Sequence, residues 1–186
     1  MRIIAGKYRS RQIQTVAGND VRPTTDMLRE TLFNVVSAAR PLEDTVWLDV
    51  YAGSGGVGIE ALSRGAREVY FVEGSKKAVA VIRKNLKTLN IDSGWEIVER
   101  DAAAGLRRLD SQAIACDVCF LDPPYAEEEE YEDTLGFLSQ SQMIDPQSLV
   151  IAEHSKRYDS GDQVGALVRF RKLKQGDAVL SFYRKG

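Results

Sequence analysis

Two short stretches of this 186-residue chain combine residue types that can do chemistry. The first is Val118-Cys119-Phe120-Leu121-Asp122-Pro123-Pro124-Tyr125, an apolar run that stops at an acid, two prolines and an aromatic ring. The run suits a buried parallel strand. Residues before prolines are pushed to extended geometry, and Pro124 has no N–H to offer a ladder. The strand therefore ends in a stiff corner that fixes the Asp122 carboxylate, the Pro123 carbonyl and the Tyr125 ring relative to one another. Such a corner can take a flat molecule bearing an NH2 group. Carboxylate and carbonyl each accept one amine hydrogen, and the ring stacks on the π-face. A proline-stiffened turn without function is the plainer alternative, and these four residues leave it open.

The second stretch is Asp49-Val50-Tyr51-Ala52-Gly53-Ser54-Gly55-Gly56-Val57-Gly58, in which Gly53, Gly55 and Gly58 fit G-x-G-x-x-G between a strand and a helix. Such glycines let backbone approach a ligand, and the helix start turns unpaired N–H groups towards it. Glu73 ends the next strand, where an acid can accept both hydroxyls of a ribose, and Asp101 follows the third strand within reach of an adenine edge. Each acid alone could be a turn residue; together they outline a nucleoside pocket. No Lys-Ser/Thr follows the glycines, so this is not a P-loop. A dinucleotide would bring its pyrophosphate to the helix N-terminus, where Asp49 would repel it. The same carboxylate favours the cationic amino-acid end of S-adenosylmethionine, which would also set a sulfonium beside the amine-holding corner.

The surrounding pattern positions both stretches. Strand-like segments at 45–50, 68–73, 95–100, 117–121 and 148–153 alternate with helical periodicities at 59–63, 76–89, 102–109 and 131–139. That alternation predicts a parallel, doubly wound sheet. Segments 167–173 and 178–183 are joined by four residues only, too few for a crossover, so they form an antiparallel hairpin and bring the strand count to seven. Before the alternation, Arg22-Pro23-Thr24-Thr25-Asp26 opens a helix that runs to about residue 39. Residues 2–16 read as two extended pieces carrying Arg2, Lys7, Tyr8, Arg9 and Arg11 with no acid, and neither face is apolar enough for core. This reads as an edge or an arm suited to a nucleic-acid backbone, or else as a charged edge that resists aggregation. The expected division is a basic hairpin over 1–20 and a main domain over 21–186.

Composition narrows the classes. Residues 1–40 carry seven Lys/Arg against three acids and 167–186 six against one, while the middle is acidic. Two basic ends suit a protein that meets a polyanion along one rim. Cys116 and Cys119 are the only cysteines; with a single histidine the chain cannot supply four zinc ligands, so no metal is expected and the thiols read as small buried side chains. His154 reads as structural or as a peripheral contact, and Glu127–Glu130 as the solvated start of a helix. With no long apolar run and no h-region at the N-terminus, the expectation is a cytoplasmic protein without a membrane partner.

The chain resembles, almost end to end, the bacterial 16S ribosomal RNA guanine-N2 methyltransferases of the RsmD type. The resemblance rests on Arg2-Ile3-Ile4-Ala5-Gly6-Lys7-Tyr8-Arg9, Arg22-Pro23-Thr24-Thr25-Asp26, Arg29-Glu30-Thr31-Leu32-Phe33-Asn34, the glycine turn and Leu121-Asp122-Pro123-Pro124-Tyr125. Glu60-Ala61-Leu62-Ser63-Arg64-Gly65-Ala66, Glu153 and Leu180-Ser181-Phe182-Tyr183-Arg184 complete it. It implies a Rossmann-like class I methyltransferase fold, a seven-stranded mostly parallel sheet with its last strand antiparallel, and an N-terminal β-hairpin extension. It also implies S-adenosylmethionine held by Asp49, Ala52, Gly53, Ser54, Gly55, Glu73 and Asp101, and catalysis by Asp122, Pro123, Pro124 and Tyr125. RNA contacts fall to Arg2, Lys7, Tyr8, Arg9, Arg11, Arg22 and Thr24. The implied substrate is 16S rRNA, free or within the small subunit, met by a monomer. An adenine-N6 DNA methyltransferase would share the chemistry, an NAD-dependent oxidoreductase would share only the glycine turn, and a non-catalytic RNA-binding module would need neither.

Overall fold

The computed structural model describes residues 1–16, 25–124 and 128–186; Arg22, Thr24, Tyr125 and the boundary expected at residue 20 lie outside them. The elements are α1 (Asp26–Ala39), β1 (Val46–Val50), α2 (Gly56–Ser63), β2 (Glu68–Val72), α3 (Lys76–Leu89), β3 (Trp95–Val98) and α4 (Ala102–Ser111). They continue with β4 (Val118–Leu121), α5 (Glu128–Gln140), β5 (Leu149–Ser155), β6 (Gln163–Val164), β7 (Leu167–Gln175) and β8 (Ala178–Lys185). One sheet runs β3-β2-β1-β4-β5-β8-β7-β6. Strands β1 to β5 pair in parallel, and β8 enters antiparallel beside β5 with β7 outside it. The sheet has eight strands rather than seven, because Gln163–Val164 pairs with Leu167 and Val168. Two residues are too short for any alternation to register in a sequence.

Local chemistry sets the helix ends. The Thr25 hydroxyl accepts the Leu28 amide and opens α1, and the Ser75 hydroxyl accepts the Ala78 amide and opens α3. Asn90 in the left-handed region closes α3. Helices α1, α2 and α3 cover one sheet face, where Phe33 stacks on Trp47 with ring centroids 5.1 Å apart. Helices α4 and α5 cover the other, through Leu106, Leu109, Tyr131, Leu135 and Leu138. Among the described residues no helix is long and apolar enough to cross a membrane.

Residues 1–16 double back, but through a single antiparallel bridge between Arg2 and Gln12 rather than two strands. The intervening residues are spent on turns: the Arg9 amide donates to the Gly6 carbonyl, the Arg11 amide to the Tyr8 carbonyl, and Ser10 takes a positive φ. The segment also contributes core, against the expectation that neither face was apolar enough: Ile3 and Ile13 are buried among α1, α2 and α3. Two isoleucines suffice because buried polar side chains do the rest. The Glu60 carboxylate accepts the Ile4 amide at 2.8 Å and the Ala5 amide at 3.0 Å. The Ser63 hydroxyl accepts the Tyr8 amide at 3.0 Å and donates to the Ala5 carbonyl at 2.6 Å. Asn85 accepts the Gln14 amide at 2.8 Å and donates to the Gln14 carbonyl at 2.9 Å and the Ser54 carbonyl at 3.0 Å. Arg29, wholly buried on α1, donates to the Arg2 carbonyl at 2.5 Å and to Asp26 at 3.0 Å. Desolvation lowers its pKa, opposed by the nearby Glu60 and Asp26 charges.

Glu60 therefore holds the segment in place. Glu60→Ala strands two backbone donors and the Arg64 guanidinium, and should cost about 3 kcal/mol. Urea unfolding reads the loss, and amide exchange at Ile4 and Ala5 should speed up before the rest of the domain opens.

Candidate active site

The strand order reverses at β1: the chain steps outward through β2 and β3, then returns to β4 on the other side. In open α/β sheets the crevice at such a reversal, outside the carboxyl ends of the strands, takes ligands. Both chemistry-bearing stretches leave from this point. Val50 pairs with Leu121, and the Asp122 amide donates to the Val50 carbonyl at 3.3 Å. The glycine turn thus starts at Tyr51 and the proline corner at Asp122, level with each other on strands about 4.8 Å apart.

The glycine turn is held from beneath and open above. The Gly55 amide closes onto the Ala52 carbonyl at 2.7 Å, and Gly55 itself caps α2 in the left-handed region. A Cβ on Gly58 would stand 2.3 Å from Phe71 Cε1, so only glycine lets α2 lie this close to β2. At Gly53, with φ of 55°, a Cβ would meet nothing nearer than the Tyr51 carbonyl oxygen at 4.0 Å, so the turn's outer side is free for a ligand. Glu73 braces the turn: its carboxylate oxygens accept the Gly53 and Ser75 amides, each at 2.8 Å. Each oxygen keeps a further lone pair for a sugar hydroxyl. Asp101 caps α4, accepting the Ala104 amide at 2.7 Å through Oδ1.

Asp49 is the electrostatic centre. It is buried on β1, accepts the Gly58 amide at 2.8 Å, and has no cation bonded to it among the described residues. Burial and the neighbouring Glu73 charge push its pKa up from 3.8 to about 7, against the pull of the Gly58 bond. A ligand presenting a cation here would supply the charge this carboxylate lacks.

At the corner, Asp122 is half-buried, Pro123 buried and Pro124 exposed. The Pro123 carbonyl faces the buried Tyr131 hydroxyl at 3.2 Å, and the same hydroxyl lies 3.0 Å from the Glu153 carbonyl. Tyr131 has one proton for two carbonyls, so the Pro123 oxygen retains acceptor capacity. Tyr51, at φ of 60°, reaches across from the glycine turn to Glu130 at 2.6 Å and Thr134 at 2.8 Å on α5, the helix after the corner. Sequence reasoning missed Tyr51, Tyr131 and Asn85. Tyr51 and Asn85 act on groups 31 or more residues away, and Tyr131 on carbonyls 8 and 22 residues away, so no adjacent residue marks them.

His154 behaves as expected. Its Nδ1 lies 2.9 Å from the Ser155 carbonyl and so carries the proton; Nε2 then accepts from the Ser181 hydroxyl at 2.9 Å. Desolvation lowers its pKa below the ordinary imidazole value. Of the acid run, Glu127 lies outside the described residues, Glu128 and Glu129 start α5 in solvent, and Glu130 is half-buried where it accepts the Tyr51 hydroxyl. Cys116 and Cys119 are buried free thiols whose pKa values desolvation raises.

The basic residues of the N-terminal segment are only partly gathered. Arg2 and Arg9 border a cleft of about 440 Å³ beside the start of α1, together with Asp26, Met27 and Glu30. Lys7 and Tyr8 sit at the far end of α2, with Lys7 Nζ 5.2 Å from the Tyr8 ring centre and the Lys7 amide on the Ser63 carbonyl. Arg11 donates to the Thr88 carbonyl at 3.1 Å, near the end of α3.

Comparison with known proteins bears on this geometry. A family model described as conserved hypothetical protein 95 matches residues 1–184. The chain belongs to this family. A Bacillus subtilis member, YlbH, provisionally named an rRNA methyltransferase, is 35% identical over 185 residues, covering 100% of this chain and 99% of that protein. Ribosomal RNA small subunit methyltransferase D of Haemophilus influenzae is 35% identical over 157 residues, covering 84% of this chain and 79% of that protein. The solved Escherichia coli YhhF, provisionally titled a methyltransferase, superposes with a TM-score of 0.81 at 28% identity, covering 100% of this chain and 97% of that one. The RsmD-type resemblance and the α/β fold it implied both hold.

The raised Asp49 pKa has a consequence for stability. Between its ordinary 3.8 and about 7 the unfolded chain ionises while the folded one keeps its proton, so stability falls as pH rises through that window. Asp49→Asn keeps an acceptor for Gly58 without that cost. Its Tm should exceed wild type by several degrees at about pH 8 and match it at about pH 4. Equal melting curves at both would show that no such burden exists.

Proposed function

We propose that this protein is an S-adenosylmethionine-dependent methyltransferase that methylates the exocyclic N2 of a guanine in small-subunit ribosomal RNA. One observation carries the reading above the others: the Asp122 amide on the Val50 carbonyl, which starts a donor-type turn and an amine-type corner from adjacent strand ends. The relatives' names supply the substrate class, ribosomal RNA of the small subunit.

The residues fit the donor. The outer side of Gly53 is open, Glu73 and Asp101 stand at successive strand ends, and the buried Asp49 carboxylate needs the positive charge that the donor's amino-acid end carries. When bound, S-adenosylmethionine supplies an electrophilic methyl group on a sulfonium that departs as a neutral thioether.

A guanine N2 lone pair is delocalised into the ring and is a poor nucleophile. Asp122 accepts one amine hydrogen and the Pro123 carbonyl the other, which favours a pyramidal nitrogen with its lone pair directed at the turn. Tyr131 steadies the carbonyl from the buried side. Tyr125 offers the ring on which the base stacks, which requires the base to leave any helical stack. Orientation of this kind can lower a barrier by about 7–11 kcal/mol. The methylated nitrogen is strongly acidic, and Asp122 or water takes its proton. His154 has no part, since both ring nitrogens are engaged.

Asp122→Ala should abolish methyl transfer to ribosomal RNA while leaving S-adenosylmethionine affinity by calorimetry within about twofold. Retained transfer would remove Asp122 from catalysis, and heat on titration with NAD in place of S-adenosylmethionine would favour the oxidoreductase. The basic segment is proposed to meet phosphates. Substituting Arg2, Lys7, Arg9 and Arg11 together should flatten the log–log salt dependence of RNA affinity by about 3; an unchanged slope would take this segment off the RNA path.

A further inference from the structure

The other basic end of the chain forms a surface of its own. Strand β7 carries a β-bulge between Arg169 and Arg171, and Phe170 is the extra residue. Bulges re-aim side chains. Phe170 is 48% exposed, an unusual placement for phenylalanine, and Val168 on the same strand is 44% exposed. The Arg184 guanidinium lies 5.0 Å from the Phe170 ring centre, and the Phe182 ring lies beneath at 6.3 Å. Cross-strand partners share a face, and Arg171 pairs with Phe182 as Val168 pairs with Arg184. One face of the β7–β8 ribbon therefore carries the Phe170 ring with the Arg184 guanidinium against it, and Arg171 stands in the next cross-strand pair on the same face.

The charges on that face are uncompensated. The acids near the ribbon are committed elsewhere: Asp159 and Asp162 to Arg169, Asp159 also to Lys172, and Asp177 to Lys156. Among the described residues neither Arg171 nor Arg184 has an acidic partner. Edge-strand protection accounts for exposed cations on β7 but not for an exposed ring turned out by a bulge and covered by arginine. A ring with flanking guanidinium groups is the composition that holds an unpaired base and its phosphates.

The position suits the proposed substrate. Arg171, Phe182, Ile151 and Phe120 lie in one register row across the sheet, and Phe120 is two residues before Asp122. Arg171 is thus about 14 Å across the sheet and about 7 Å along the strands from the amine-holding corner, while Val168 and Arg184 lie further back, level with Val118 and about 13 Å along, a span that a few nucleotides flanking a flipped base can cover.

We infer that the Val168, Phe170, Arg171 and Arg184 face of the β7–β8 ribbon is a stacking site for an unpaired nucleotide of the RNA being methylated. This rests on the RNA-methylation reading above. The test uses the full-length protein and a short labelled oligouridine in fluorescence anisotropy, with binding of S-adenosylhomocysteine by calorimetry as the fold control. Phe170→Ala and Phe170→Leu should each weaken RNA binding about tenfold, Phe170→Trp should retain it, and S-adenosylhomocysteine affinity should hold in all three. Leucine keeps the apolar contact with Phe182 and loses only the π-face, so its result does not depend on whether the alanine variant folds well. Wild-type-like RNA affinity in Phe170→Leu would overturn the stacking site while leaving the methylation reading intact. Failure of the wild-type protein to bind oligouridine, with ribosomal RNA still methylated, would also overturn it. Failure of the wild type to bind or methylate any RNA would overturn both.

Discussion

The hydrogen bond from the Asp122 amide to the Val50 carbonyl is the constraint on which the rest depends. It extends the β1–β4 register by one residue past the last paired positions, Val50 and Leu121. Two loops that differ in every other respect are thereby forced to begin at the same level on adjacent strands. A slip of one residue would turn Asp49 from its place beneath α2 and move the corner away from the turn. The buried rows on both faces make that slip costly: Trp47 and Phe120 pack on one side, and Leu48, Cys119 and Leu121 on the other.

Around that register the molecule spends buried polar groups where backbone needs them. Glu60, Ser63 and Asn85 are all buried, and each bonds to main chain of the first sixteen residues. Asn85 also reaches the Ser54 carbonyl, so the N-terminal segment and the glycine turn share an anchor. Tyr51 makes a second link, from the turn to α5. The proposed donor and acceptor sites are thus joined by the sheet below and by a side-chain bridge above. The basic ends of the chain, by contrast, lie on different parts of the surface, one against α1, α2 and α3 and the other on the outer ribbon.

What a reader of the sequence can see follows from range. Lys76–Leu89 is found to the residue, because the periodicity that marks it lies within the helix itself. The glycine turn and the proline corner are visible because glycine and proline restrict backbone wherever they stand. The N-terminal segment looks like a free arm because the side chains that satisfy it are 27 to 71 residues away. Glu73 shows as an acid at a strand end, but nothing in the sequence says that both its oxygens also hold backbone amides. The ring of Phe170 is likewise hidden: alternation would assign it to the face opposite Arg171, and only the bulge brings it to lie with Arg184.

In the proposed reaction an exocyclic guanine amine, held at the Asp122 corner, receives a methyl group from a donor lying over the glycine turn. Its most direct measurement is nucleoside mass spectrometry of small-subunit ribosomal RNA, taken from cells lacking the protein and incubated with it and isotopically labelled S-adenosylmethionine. The predicted result is label in N2-methylguanosine. Label confined to N6-methyladenosine, or no label in RNA at all, would contradict this reaction.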